Sequence, residues 1–235
     1  MREIFISDIH GQFKAFTSLL SQLNYDPKKD QLYLLGDYID RGPQSNQLIR
    51  YLLQLQQIAG EHVVFLKGNH ERMMLDAFEN ADDIDVSLWI QNGGRETLKS
   101  YAGNRVLKDS FDEIHKWITK EFAEHYQFIK NLENYIETNE HILVHAGINP
   151  SLENWKETPE EELLWIRSPF LENTVSTTKK VIFGHTPTMT LQEDAEVWFQ
   201  PDKIGIDGGA GFNKQLNALI YHNGEYHTES VTIET

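Results

Sequence analysis

Hydrophobic and polar positions along the first third of the chain follow two alternating periods. Short aliphatic or β-branched runs at residues 2–7 (REIFIS), 32–35 (LYLL) and 62–67 (HVVFLK) have the form of buried strands. Between them, 12–23 (QFKAFTSLLSQL) and 46–58 (NQLIRYLLQLQQI) place apolar residues three and four apart. That spacing predicts amphipathic helices, with Phe13, Leu19, Leu20, Leu52, Leu53 and Leu55 entering the core. The order βαβαβ predicts a parallel sheet with right-handed crossovers, whose loops gather at the strand C-termini, where sites are built.

The rest of the chain is less regular. Residues 73–138 read as mostly helical, with LWIQNGGRETLKSY (88–101) interrupted at Gly93 and Gly94, and form a helical insertion or lid within one domain spanning 1–235. Strand signals return at 141–144 (HILV) and 180–183 (KVIF). From about residue 195 the alternation around Gly and Asn turns predicts antiparallel strands or hairpins.

The predicted strand exits share one chemistry. They read SDIHGQ (7–12), GDYIDRGP (36–43), GNHER (68–72), HAGINP (145–150) and GHTP (184–187). Singly, each has an ordinary explanation: a capped helix start, a turn with a surface ion pair, a structural histidine. Together they bring Asp8, His10, Asp37, Asn69, His145 and His185 to one edge, a set of imidazoles and oxygens that suits Mn²⁺, Fe or Zn²⁺. Six ligands exceed what one catalytic ion with an open position needs. Two ions about 3.5 to 4 Å apart, sharing Asp37, would use them all.

The neighbouring residues then acquire roles. His70 is placed as general acid for the leaving oxygen, Asp40 as the carboxylate that orients and charges it, and Arg41 and Arg167 as forks for phosphoryl oxygens. Gly11, Gly36, Gly42, Gly68, Gly147 and Gly184 stand beside these residues, where a missing Cβ permits close approach. His62, His115, His125, His141, His222 and His227 are read as structural.

Composition narrows the function classes. The formal net charge is −15, with acidic concentrations at 79–85 and 157–162, which disfavours a phosphate-tracking nucleic-acid binder. There are no cysteines, so thiolate sites and disulfides are excluded. No stretch approaches the roughly 18 to 20 apolar residues of a spanning helix, so a soluble, cytoplasmic protein is expected.

SDIHG, GDYIDRG, GNHE, HAG and GHT, in this order, resemble the signature segments of the metallophosphoesterases, in particular the bacterial and phage-lambda-type serine/threonine phosphoprotein phosphatases. The resemblance runs from about residue 4 to about 210. It implies an α/β (α+β) fold of the calcineurin-like kind, with a central mixed β-sandwich flanked by helices, a dimetal centre and direct attack by metal-bound hydroxide. By motif, Asp8 and His10 match ligands of the first ion, Asp37 the bridge, and Asn69, His145 and His185 ligands of the second. His70 matches the general acid, Asp40 its partner, Arg41 a phosphate clamp, and Arg167 in LLWIR a second one. Ser7 departs from the glycine usual before the first Asp.

The expected substrate is a phosphorylated protein or small phosphoester, with Mn the expected metal. Hydrolysis of dinucleoside polyphosphates such as diadenosine tetraphosphate is the alternative. Asp40 in DRG and Glu71 in GNHE order the two in favour of the phosphatase.

Overall fold

The fold, taken from a computed structural model, is described for residues 1–234. Two five-stranded mixed sheets pack face to face. The first contains β1 (Glu3–Ile6), β2 (Gln31–Leu34), β3 (Val63–Phe65), β9 (Gln215–His222) and β10 (Glu225–Thr232), in the order β10-β9-β1-β2-β3. The second contains β4 (Tyr135–Glu137), β5 (His141–Val144), β6 (Lys180–Phe183), β7 (Trp198–Phe199) and β8 (Lys203–Gly205), in the order β4-β5-β6-β8-β7.

The side-chain alternation of a strand explains why these runs are apolar throughout. Ile4 and Ile6 of β1, with Leu32 and Leu34 of β2, enter the core beneath the helices. Phe5 and Tyr33, one residue out of phase, join Leu143, Ile182, Ile204 and Leu219 between the sheets. Ile142, Val144, Val181 and Phe183 point to the outer face of the second sheet and pack with Leu163 and Phe170. A strand buried on both faces has no polar phase.

The predicted parallel βαβαβ unit is present: β1, β2 and β3 pair in parallel, joined by α1 (Phe13–Gln22) and α2 (Ser45–Ala59). Helices α3 (Asn69–Asn80), α4 (Asp83–Trp89), α5 (Arg95–Ala102), α6 (Phe111–Glu121) and α7 (Ala123–Lys130) follow, before the short edge strand β4. Two further short helices, α8 (Glu160–Trp165) and α9 (Ser168–Glu172), lie between β5 and β6.

Two features depart from the sequence reading. Strand β8 pairs parallel to β6, whereas antiparallel pairing was expected throughout the tail. The other pairings of the tail are antiparallel: β7 with β8, β9 with β1, and the β9–β10 hairpin, which turns at Asn223 and Gly224, both at positive φ. Helix α3 also begins at Asn69, directly after Gly68, so Asn69 and His70 stand in its first turn.

Candidate active site

Nine of the ten predicted site residues come from loops and helix starts at the strand exits, Arg167 from the α8–α9 turn, and six have left-handed backbones. Asp8, His10, Asp37, Asp40, Arg41 and His185 have φ between 47° and 72°. Such values are uncommon for residues with a Cβ, and they concentrate where neighbouring structure over-determines the chain. Here the loops after β1 and β2 are laced together: Asp8 N–H donates to the Gly36 carbonyl, His10 N–H to Asp37, Gly11 N–H to Tyr38, and Gly42 N–H to His10.

Asp37 lies at the centre. One of its oxygens, Oδ2, is 3.5 Å from His10 Nε2, 3.5 Å from His145 Nε2 and 3.9 Å from His70 Nε2. Two groups of potential ligand atoms therefore share it: His10, Asp37 and His70 on one side, Asp37, His145 and His185 on the other. Asn69 Oδ1 joins the second group, 2.9 Å from both His145 Nε2 and His185 Nδ1. The Asp8 carboxylate falls in neither. It accepts the His185 backbone N–H and contacts the Ser7 hydroxyl, and its charge adds to the burial that lifts Asp37 well above the usual carboxylate range.

The donor set fits a divalent cation. His145 Nδ1 donates to the Leu35 carbonyl at 2.8 Å, which leaves Nε2 as a bare lone pair facing two acceptors, Asn69 Oδ1 and Asp37 Oδ2. His10 Nδ1 is also committed to the Ile39 carbonyl at 2.9 Å, and its Nε2 faces Asp37 Oδ2 and the Arg41 guanidinium, which donates to it here. His185 turns Nδ1 to the same Asn69 Oδ1, at 2.9 Å. Buried lone pairs converging on one space are unfavourable unless a cation lies among them. Burial also keeps the imidazoles neutral, pushing His10, His145 and His185 below the ordinary histidine range.

A second constellation adjoins the first. His70 Nδ1 is 2.7 Å from Asp40 Oδ2. Asp40 also accepts from Trp89 Nε1 at 2.9 Å and Thr97 Oγ1 at 2.7 Å, so three donors converge on one fully buried carboxyl. Burial pushes Asp40 up to about 8, and these hydrogen bonds pull the other way. His70 is pushed well below its ordinary value by burial, with the Arg41 charge adding to the effect. The arrangement fixes the His70 ring with Nδ1 toward Asp40 and Nε2 toward the space beside Asp37.

Both predicted arginines reach the rim. Arg41 Nη1 lies 3.0 Å from His10 Nε2. Arg167 donates to the His185 carbonyl at 3.3 Å and forms no ion pair with the 160–162 acidic run. Trp165 presents its ring edge-on to His185, with centroids 5.9 Å apart.

Several residues that hold the site received no role from the sequence. Glu71, fully buried, accepts backbone N–H groups from Gly68, Asp37, Tyr38 and Ile39. Its place inside GNHE was the available signal. Gly68, by contrast, was expected beside the ligands and lies against Asp37, with no room for a Cβ beside that carboxylate. Trp89 and Thr97 arrive from α4 and α5, within the LWIQNGGRETLKSY segment, which the sequence marks by its glycine break and by no chemistry. Asp207, buried and lifted above its usual range by burial and by Asp8, accepts from Gly209 N–H.

Comparison with known proteins gives the family. The family model described as calcineurin-like phosphoesterase matches residues 1–221. Serine/threonine-protein phosphatase 1 of Salmonella typhimurium is 29% identical over 90% of this chain and 88% of its own length. Symmetrical bis(5'-nucleosyl)-tetraphosphatase of Pseudomonas fluorescens is 28% identical, over 62% of this chain and 42% of its own. The crystal structure of a cold-active protein-tyrosine phosphatase from a Shewanella species superposes with a TM-score of 0.67 at 17% identity, covering 99% of this chain and 80% of that one, a likeness of fold. The chain belongs to the calcineurin-like phosphoesterase family and is a metal-dependent phosphoester hydrolase.

Proposed function

We propose that this chain hydrolyses phosphomonoesters, above all phosphoserine and phosphothreonine in proteins, with two divalent cations seated about Asp37. The observation that carries the reading is the shared Asp37 oxygen, equidistant at 3.5 Å from His10 Nε2 and His145 Nε2. Asp8 and His10 would hold the first ion with Asp37, and Asn69, His145 and His185 the second. The set contains only nitrogen and oxygen donors, and manganese is the first candidate. When bound, such ions acidify coordinated water and neutralise charge on phosphoryl oxygens.

The protein groups have separate tasks. Arg41 and Arg167, on opposite sides of the cluster, offer planar donor forks to phosphoryl oxygens. His70 points Nε2 at the space beside Asp37, where it protonates the departing oxygen. Asp40 holds the other ring nitrogen at 2.7 Å and, when ionised, supports the imidazolium that burial disfavours. The fixed ring needs little reorganisation.

Dinucleoside tetraphosphate hydrolysis is the second reading, supported by relatives named for it. The Pseudomonas relative matches over less than half of its own length, whereas Salmonella phosphatase 1 matches over 88% of its own. That difference supports the phosphatase. The test is manganese-reconstituted turnover of p-nitrophenyl phosphate against bis(p-nitrophenyl) phosphate, together with metal per chain. Preference for the monoester with two ions bound is expected; preference for the diester, or a single ion at saturation, would overturn the reading.

A further inference from the structure

Two glycine-rich segments, IQNGG (90–94) and GGAGF (208–212), are left without a task by the chemistry above, and both close on Arg41. Between α4 and α5 the chain kinks at Gly93, whose φ is 111°. Its carbonyl accepts the Arg41 backbone N–H at 3.3 Å, and a Cβ there would lie 2.7 Å from Arg41 N and 2.8 Å from Arg41 Cγ. On the other side, a Cβ on Gly211 would lie 2.9 Å from both Arg41 Cδ and Nη1, and 2.5 Å from the His10 ring. The arginine therefore runs in a slot whose walls are two missing side chains.

The end of the slot is closed by an aromatic ring. The Phe212 ring centroid lies 4.6 Å from Arg41 Cζ, beneath the guanidinium, and the residue is 54% exposed. The loop that carries it is fixed: Gly209 and Asn213 are left-handed, and Gln12 reaches both the Ala210 carbonyl and Asn213 Oδ1.

We propose that Phe212 is a positioning residue for the hydrolysis, holding the Arg41 guanidinium beside His10 so that its fork faces the phosphoryl group. The inference rests on the reading of Arg41 as a phosphate clamp. Without the ring, the guanidinium at the open end of the slot gains rotamer freedom, and phosphate must order it on binding. The loss falls on phosphate affinity and KM, with metal binding unaffected.

The test measures KM for p-nitrophenyl phosphate, competitive inhibition by inorganic phosphate and metal content for Phe212→Leu, Phe212→Trp, Arg41→Ala and the double variant Arg41→Ala/Phe212→Ala. Phe212→Leu should weaken phosphate inhibition about three- to tenfold at full metal content, as loss of a partly exposed cation–π contact implies. Phe212→Trp should restore it, because indole presents the stronger π face. In the Arg41→Ala background, Phe212→Ala should add nothing. Unchanged inhibition in Phe212→Leu, or additive losses in the double variant, would overturn the proposal alone. Unchanged inhibition in Arg41→Ala would overturn the clamp reading beneath it, and the proposal with it.

Discussion

The Glu71 carboxylate accepts the backbone N–H of Asp37 at 2.8 Å, across a separation of 34 residues. The same carboxylate takes Tyr38, Ile39 and Gly68, so the first turn of α3 grips the loop after β2. Asp37 has φ of 55°, a conformation its Cβ disfavours, and these bonds help to hold it.

Glu71→Gln tests this grip. The amide keeps the shape but turns one acceptor into a donor facing backbone N–H groups. Hydrogen bonds to charged groups contribute about 1.5 to 3 kcal/mol each. We expect a loss of about 2 to 4 kcal/mol in denaturant stability, accompanied by weaker metal binding. Wild-type metal affinity in a folded Glu71→Gln protein would remove Glu71 from the positioning of Asp37.

His70→Asn should keep the cations and lose activity. General acid catalysis contributes about 10² to 10⁴ in rate, and the loss should concentrate on alkyl phosphates, whose leaving oxygen needs a proton. With p-nitrophenyl phosphate the deficit should be smaller. Parallel losses for both leaving groups would place the acid elsewhere.

Asp37→Asn should release at least one ion, because a single oxygen of Asp37 serves both imidazole groups. Metal per chain by elemental analysis after desalting is the readout. Two ions retained would mean that the bridge is misassigned.

Two histidines outside the site predict acid sensitivity. Burial pushes both His125 and His141 down to about 4; His141 packs among Phe5, Tyr221 and Tyr226, and His125 beside Tyr101. In the unfolded chain both protonate near pH 6.5. The unfolded state thus binds more protons between about 6.5 and 4, and stability falls as pH falls through that window, by at most about 3 kcal/mol per histidine. His141→Gln should flatten the fall. The difference between the two proteins in urea midpoint, read from pH 7.5 to 4.5, isolates this histidine; a constant difference would contradict the assignment.

The sequence revealed most where chemistry and geometry coincide. Strands β1, β2, β3, β5 and β6 are apolar in both phases because they lie between two packed layers, and their polar exits stand out against them. Strand β8 is antiparallel to β7, in keeping with the alternation, but its parallel pairing with β6 was not legible, because alternation reports burial while the partner is set by the sandwich. The short edge strands β4 and β7 draw their stability from neighbours. Asp40 was legible in DRG, but Trp89 and Thr97, which fix it, are 49 and 57 residues away in the glycine-interrupted helical stretch 88–101, whose contact with Asp40 is purely tertiary. The Gly93 kink was visible as a break, and the arginine it accommodates was not.

The central claim is tested most directly by one comparison: kcat/KM of the manganese-reconstituted protein for a phosphothreonine peptide and for diadenosine tetraphosphate, in the same buffer. The account predicts clear preference for the peptide. Preference for the dinucleotide would contradict it, transferring the same residues to nucleotide hydrolysis.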